Sequence, residues 1–333
     1  MKKEFFGTLK TGEKIHKYTL TDGAATATVM DFGATVVSFD VLGKSIVGGY
    51  DSLDSYLVDD SHQGATIGRV ANRVADAAFI MDGKHYSLPK NDNGNCLHGG
   101  VGFDRRVWSV EKHDGSMITF VYNSKDGEEG FPGELTVKVT YTVKDNDLKI
   151  DYLAIPDAKT PIALTNHSYF NLNGFGDTVL SHKAQIFANA YTEVNEKLIP
   201  NGNRPSVEGT VFDLRSLKPI GDAVSEDFVG YDHNFILSPE SKELFDGKAL
   251  GLAAIVEGDE LKLEVYTDQP GIQFYIGNFL GGKPDFAGGI KRILHGAFCL
   301  ETQTEPDCIN HGVGFYDKGE LYTHTTVYRV TRK

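Results

Sequence analysis

The chain has 333 residues, 40% of them hydrophobic and 24% charged, with a formal net charge of -13. That balance suits a globular protein able to bury a large core, and it argues against a phosphate-backbone or anionic-membrane partner, since both need a cationic face. The length allows two domains, but a large all-β fold often reaches it as one. The start, Met1-Lys2-Lys3-Glu4-Phe5-Phe6-Gly7-Thr8, leads into no apolar stretch of leader length. No run approaches the roughly 20 apolar residues that span a bilayer. Cys96, Cys299 and Cys308 are odd in number and lack Cys-x-x-Cys spacing, which suits a reducing cytoplasm.

In chain order, a short helix is predicted around Leu53–Val58. Asp82-Gly83 and Asp114-Gly115 each read as a two-residue hairpin turn between strands. From Leu135 to Val143 apolar residues alternate with Thr and Lys, the period of a half-buried strand. The turn at Lys144–Asp147 and renewed alternation from Leu148 to Ile155 complete an antiparallel hairpin. A second short helix is predicted around Glu240–Phe245. Leu261–Val265 and Thr326–Val330 add further strands. No linker, low-complexity tract or internal repeat interrupts the chain. The expectation is all-β: one large antiparallel β-sandwich with few short helices, a single domain over residues 1–333.

Two stretches set an ionisable side chain inside an apolar run: Ile162–Leu172 around His167, and Gly296–Gln303 around Glu301. Buried charge is costly unless it is paired or has a task, and a His with a carboxylate is the natural pair for moving protons near neutral pH. Each could equally mark a strand end with its polar group in water. Other candidates have similar local alternatives. Gly68–Val74 carries Arg69, Asn72 and Arg73, donors suited to ligand oxygens or to ordinary surface pairing. Asn95–Gly100 sets His98 before two glycines that would let backbone approach a ligand. Gly230–Phe235 holds Asp232 beside His233 and reads locally as an Asx turn. Gln273 stands among aromatics after the turn Pro270-Gly271. The 11 histidines form no zinc-binding helix motif, and neither a dinucleotide fingerprint nor a serine-hydrolase elbow is present, so no metal and no cofactor are expected.

Taken in order, these segments resemble the aldose 1-epimerase (galactose mutarotase) family. The residues that carry the resemblance are GRVANRV (Gly68–Val74), LHGGVGFDRRVW (Leu97–Trp108), TNHSYFNL (Thr165–Leu172), LIPNGNRPSVEGTVFDL (Leu198–Leu214), YDHNF (Tyr231–Phe235), QPGIQFYIGNF (Gln269–Phe279) and FCLETQTEPD (Phe298–Asp307). The resemblance implies a β-sandwich of the galactose-mutarotase type and a free monosaccharide as partner. Glu301 would be general base and His167 general acid. His98 and Asp232 would complete the polar site, while Asn72, Arg73 and Gln273 would hold sugar hydroxyls. Arg73, the second arginine of its motif, is chosen over Arg69. Asp232 is expected to keep the His167 imidazole charged. The chain departs from the family pattern after Gly100, at Asn201 and Asn203, and in the segments Gly281–His295 and His311–Asp317, where an altered pocket rim is expected. The competing readings are an idle sugar-binding module, a glycoside hydrolase using Asp232 and Glu301, and a hexose-6-phosphate epimerase, which should carry more cations. Oligomeric state is not legible.

Overall fold

The computed structural model describes residues 2–333. Antiparallel sheets dominate. The N-terminal sheet is a five-stranded meander of Lys2–Thr8, Lys14–Asp22, Ala25–Met30, Thr35–Val41 and Lys44–Ser45. The large sheet begins as another meander, Ser109–His113, Met117–Ser124, Leu135–Lys144 and Asp147–Pro156. The C-terminal strand Tyr322–Arg332 then inserts between Asp147–Pro156 and Leu261–Thr267, and Lys248–Glu257, Lys183–Ile186 and Lys218–Pro219 follow. The alternation over Leu135–Lys144 is an alternation of burial, with Leu135, Val137, Val139, Tyr141 and Val143 inside. One core cluster collects side chains from Tyr18 to Val330, across both sheets. This is the expected β-sandwich.

The helix Leu53–Val58 is present, its N-terminus capped by Ser52, whose hydroxyl accepts from the Ser55 N–H. The helix predicted at Glu240–Phe245 is instead a strand, Lys242–Phe245, paired with Lys248–Glu257. Six residues make a marginal helix. Asp246 and Gly247, both at positive φ, form a two-residue hairpin turn that decides the matter. Asp82-Gly83 is such a turn, joining Met81 to Lys84. Asp114-Gly115 is not. Ser116 joins that loop, and the Asp114 carboxylate accepts from the Met117 N–H at 3.1 Å.

A smaller four-stranded sheet, Ala188–Tyr191, Asp232–Leu237, Gly271–Tyr275 and Cys299–Gln303, positions the polar residues. Alternate residues on its strands face opposite ways. Phe235, Ile272, Phe274 and Leu300 enter the main core. The other face carries the polar side chains Asp232, Asn234, Gln273 and Glu301.

Candidate active site

The register of that sheet assembles the site. Asn234, Gln273 and Glu301 are direct cross-strand neighbours, and so are Asp232, Tyr275 and Cys299 one pleat further on. Both rows therefore share one face, and three motifs far apart in sequence become adjacent. Gln273 Nε2 donates to Asp232 Oδ1 at 2.7 Å. The Glu301 side chain is buried, and its Oε2 has no hydrogen-bond partner among the described residues.

His167 reaches this face from the opposite side. It follows the two-residue strand Thr165–Asn166, which pairs with Thr66–Ile67. Its N–H donates to Ala65 O and its carbonyl accepts from the Gly64 N–H, which fixes the backbone. Tyr169 stacks on the ring at 5.1 Å between centroids, and Tyr275 meets it edge-on at 6.3 Å. Nε2 lies 3.6 Å from Glu301 Oε1, and Nδ1 lies 3.5 Å from Cys299 Sγ.

Asn72, Arg73 and His98 come from two short strands, Arg73–Val74 and Cys96–Leu97, that pair with each other. Asn72 and His98 both sit at positive φ, and each donates its backbone N–H to the other: Asn72 N to His98 Nδ1 at 3.1 Å, His98 N to Asn72 O at 3.0 Å. An Nδ1 that accepts leaves the proton of a neutral imidazole on Nε2. Burial, then repulsion from His62 and His167, hold His98 well below the usual imidazole range, so it is neutral and Nε2–H is a donor. Arg73 Nε is anchored on Asp92 Oδ2 at 2.7 Å.

All seven expected residues, Asn72, Arg73, His98, His167, Asp232, Gln273 and Glu301, converge on this one region. All but Gln273 line a cavity of about 170 Å³, and Gln273 supports its wall through Asp232. The size suits a single sugar ring better than the ~300–1,000 Å³ pockets of drug-sized ligands. Arg69 turns the other way. It is buried and spends its guanidinium on Ser124, Lys125, Pro132, Gly133 and Thr160. The departures at Asn201 and Asn203 also lie elsewhere, since both amides donate to Glu193. The segments Gly281–His295 and His311–Asp317 contribute nothing to the cavity lining, although Phe279 and Leu280, just before the first of them, do.

Electrostatics correct one expectation. Burial pushes His167 down to about 3, and repulsion from His62 adds to this. Asp232 is not among the groups that hold it charged. Asp232 acts on Glu301 instead: burial first, then the Asp232 charge, push that carboxyl well above its usual range, against an opposing pull from Arg73. Enclosure thus disfavours both ionised forms, while the 3.6 Å approach favours them together. At that separation the titrations of the two groups are linked. Cys299, His167 and Glu301 could each offer a ligand atom to one cation. However, the sulfur sits by Nδ1 and the carboxylate by Nε2, whereas a metal takes a single ring nitrogen. Burial also pushes the Cys299 thiol well up, away from the thiolate a metal needs. The donor set fits proton traffic better than metal binding.

Sequence reasoning missed several cavity residues: His62, with Asp60 and Ser61, at one edge, and Tyr169, Tyr275 and Phe279 as aromatic walls. The aromatics lie inside the motifs already singled out and could have been found by their spacing from His167 and Gln273.

Comparison with known proteins agrees with this geometry. Residues 16–329 match the family model described as Aldose 1-epimerase. The chain belongs to the aldose 1-epimerase family. That makes it an isomerase. It is 40% identical to the galactose mutarotase of Bos taurus, over 97% of this chain and 96% of the relative. It is 37% identical to the aldose 1-epimerase of Escherichia coli K12, over 96% of each. Among solved structures, the galactose 1-epimerase of Lactobacillus acidophilus superposes with a TM-score of 0.87 at 26% identity, covering 100% of this chain and 99% of that one. An aldose epimerase homologue from C. elegans gives 0.86 at 28%, covering 95% and 98%.

Proposed function

We propose that this aldose 1-epimerase, acting as one domain over residues 1–333, interconverts the α and β anomers of free hexoses such as galactose and glucose, with Glu301 and His167 as the proton-transfer pair. The observation that carries the reading is the 3.6 Å approach of His167 Nε2 to Glu301 Oε1 inside a monosaccharide-sized cavity.

The chemistry follows from counting protons. The reactive form, with the pyranose bound, is the one-proton tautomer in which Glu301 is a carboxylate and His167 an imidazolium. Glu301 takes the C1 hydroxyl proton while His167 protonates the ring oxygen, and the C1–O5 bond breaks to leave an aldehyde. One proton has passed from His167 to Glu301 through the sugar, so the open-chain state holds a neutral acid beside a neutral imidazole. Burial favours that neutral pair, which lowers the open-chain state relative to the ring-closed one. Rotation about C1–C2 presents the other carbonyl face. Closure returns each proton to its origin, and no cofactor is consumed. Each positioned transfer is typically worth about 10²–10⁴-fold.

Neutral His98 supplies a donor, Arg73 and Asn72 further donors, and Asp232, oriented by Gln273, acceptor capacity for the remaining hydroxyls. The Gln273 Oε1 is buried and without a partner among the described residues. Such groups reject analogues lacking the matching hydroxyl, because they are then left unpaired. We also place the protein in a reducing cytoplasm. Its three cysteines are free and buried, and no helix among the described residues is long and apolar enough to cross a membrane.

Polarimetry on freshly dissolved α-D-galactose and α-D-glucose tests the proposal. Wild type should speed the approach to anomeric equilibrium, and Glu301→Gln should not. Wild type inert on every aldose would overturn the reading, and an unimpaired variant would remove Glu301 from it.

A further inference from the structure

We infer that His62, oriented by Asp104, is a further substrate-binding residue, and that its Nε2 holds one hydroxyl of the hexose. The inference rests on reading the cavity as a hexose site.

His62 lines the cavity beside the two other histidines, its ring centroid 4.6 Å from that of His98 and 6.1 Å from that of His167. Its Nδ1 lies 2.9 Å from Asp104 Oδ2. An ionised carboxylate can only accept, so Nδ1 carries the proton and Nε2 is the nitrogen left for the cavity. The Asp104 side chain is nearly enclosed, at 3% exposure against 16% for His62, and Arg105 Nε braces the same oxygen at 3.1 Å. A buried carboxylate held in place behind an imidazole sets its tautomer and ring plane, as carboxylates do behind functional histidines elsewhere.

The loop that carries His62 is held just as firmly. The Asp59 carboxylate accepts from Tyr50 Oη at 2.8 Å, Ser61 Oγ at 2.6 Å and the Gln63 N–H at 3.1 Å, and it pairs with the buried Arg292 at 3.0 Å. Gln63 Nε2 donates to Gly48 O at 2.6 Å. His62 itself takes a positive φ of 54°, a conformation that costs a non-glycine residue energy and persists only where its surroundings enforce it. Asn72 and His98, also in the cavity lining, share that feature. A residue strained into place, with one nitrogen committed and one free, is preorganised to receive a ligand atom.

The test is a panel of galactose and its 2-, 3-, 4- and 6-deoxy analogues with wild type, His62→Leu, His62→Asn and Asp104→Asn. On galactose, His62→Leu should lose about 5–150-fold in kcat/KM, chiefly through KM, the range for one hydrogen bond to a buried group. For one deoxy sugar, wild type and His62→Leu should be equal, because the hydroxyl at stake is already gone. Asp104→Asn should reproduce the same selectivity with a smaller loss. His62→Asn keeps a polar group at the site and reads the same pattern if the leucine variant fails to fold. An equal loss on every analogue would assign His62 a purely structural role and overturn the inference, as would no loss at all. Wild type inactive on galactose would instead strike the hexose reading itself.

Discussion

His167 Nε2 and Glu301 Oε1 stand 3.6 Å apart with neither side chain open to bulk water. In the proposed mechanism the two hold and pass the protons together, so removing either member should stop the relay. Glu301→Gln and His167→Gln should each lower kcat by about 10²–10⁴-fold. The double variant should be little worse than the weaker single, because groups that act as a unit are not additive. Polarimetric kcat values for the four proteins check this. A double variant slower by the product of the two single losses would show that the residues act independently.

The pH profile follows from the same pair. In the proposed mechanism, activity needs one proton on it. On the acid side a second proton arrives, and burial holds His167 at about 3, so this limb should fall well below the ordinary imidazole value of about 6.5. On the alkaline side the last proton leaves Glu301, whose carboxyl is raised by burial and by Asp232 and lowered by Arg73. Asp232→Asn removes a negative neighbour, eases ionisation of Glu301, and should move the alkaline limb to lower pH. Arg73→Met removes the opposing cation and should move it to higher pH. Profiles of kcat/KM in which both variants shift the limb in the same direction would contradict this electrostatic account.

The strands were legible wherever one face meets the core and the other meets water, as along Leu135–Lys144. The site was legible only as fragments. Glu301 stands out locally as a charge inside an apolar run, but its adjacency to Asp232 and Gln273 does not show, because register between strands is a long-range property; only their shared order with a known family joined them before the sheet did. His62 was not legible. In Asp59-Asp60-Ser61-His62 it reads as part of a solvated turn, and its partner Asp104 lies 42 residues away. Lys242–Phe245 is a strand and not the helix expected there because the Asp246-Gly247 turn folds it back onto Lys248–Glu257, a pairing that local composition does not show.

Arg69 and Arg73, four residues apart in one motif, should fail in different ways. Arg69 is buried at 2% exposure with donors on four backbone carbonyls and two hydroxyls. Lysine has neither the planar fork nor the reach to replace them. Arg69→Lys should cost about 2–5 kcal/mol in urea unfolding, since several buried acceptors lose their partners. Arg73 is partly exposed, and its ion pair with Asp92 contributes at most about 1 kcal/mol. Arg73→Lys should therefore unfold within about 1 kcal/mol of wild type yet lose roughly 10-fold or more in kcat/KM, the cost of one lost hydrogen bond to substrate at about 1.4 kcal/mol or above. A reversal of these two phenotypes would show the arginines to be misassigned.

Gly99 tests whether the cavity wall depends on backbone packing. The two glycines after His98 suggest backbone left open for a ligand, but Gly99 is close-packed against the protein itself. It sits at φ +77°, and an added Cβ would lie 2.4 Å from Gly68 O and 2.9 Å from Arg69 N. The obstacle is backbone on both counts and cannot rotate away. A left-handed conformation adds about 1–2 kcal/mol for an L side chain. Gly99→Ala should therefore lower the melting temperature by several degrees. His98 is the preceding residue and its N–H holds Asn72 O, so relief of the clash displaces both from the cavity. The variant should lose kcat/KM as well, with KM rising because the hydroxyl donors are misplaced while His167 and Glu301, on other elements, stay where they were. Gly83→Ala is the control. It too has positive φ, at +76°, but an added Cβ there meets nothing within 4 Å. It should show only the conformational cost and unchanged kinetics. Equal kinetic losses in the two variants would mean that the left-handed backbone, not the approach to Gly68, is what glycine is needed for.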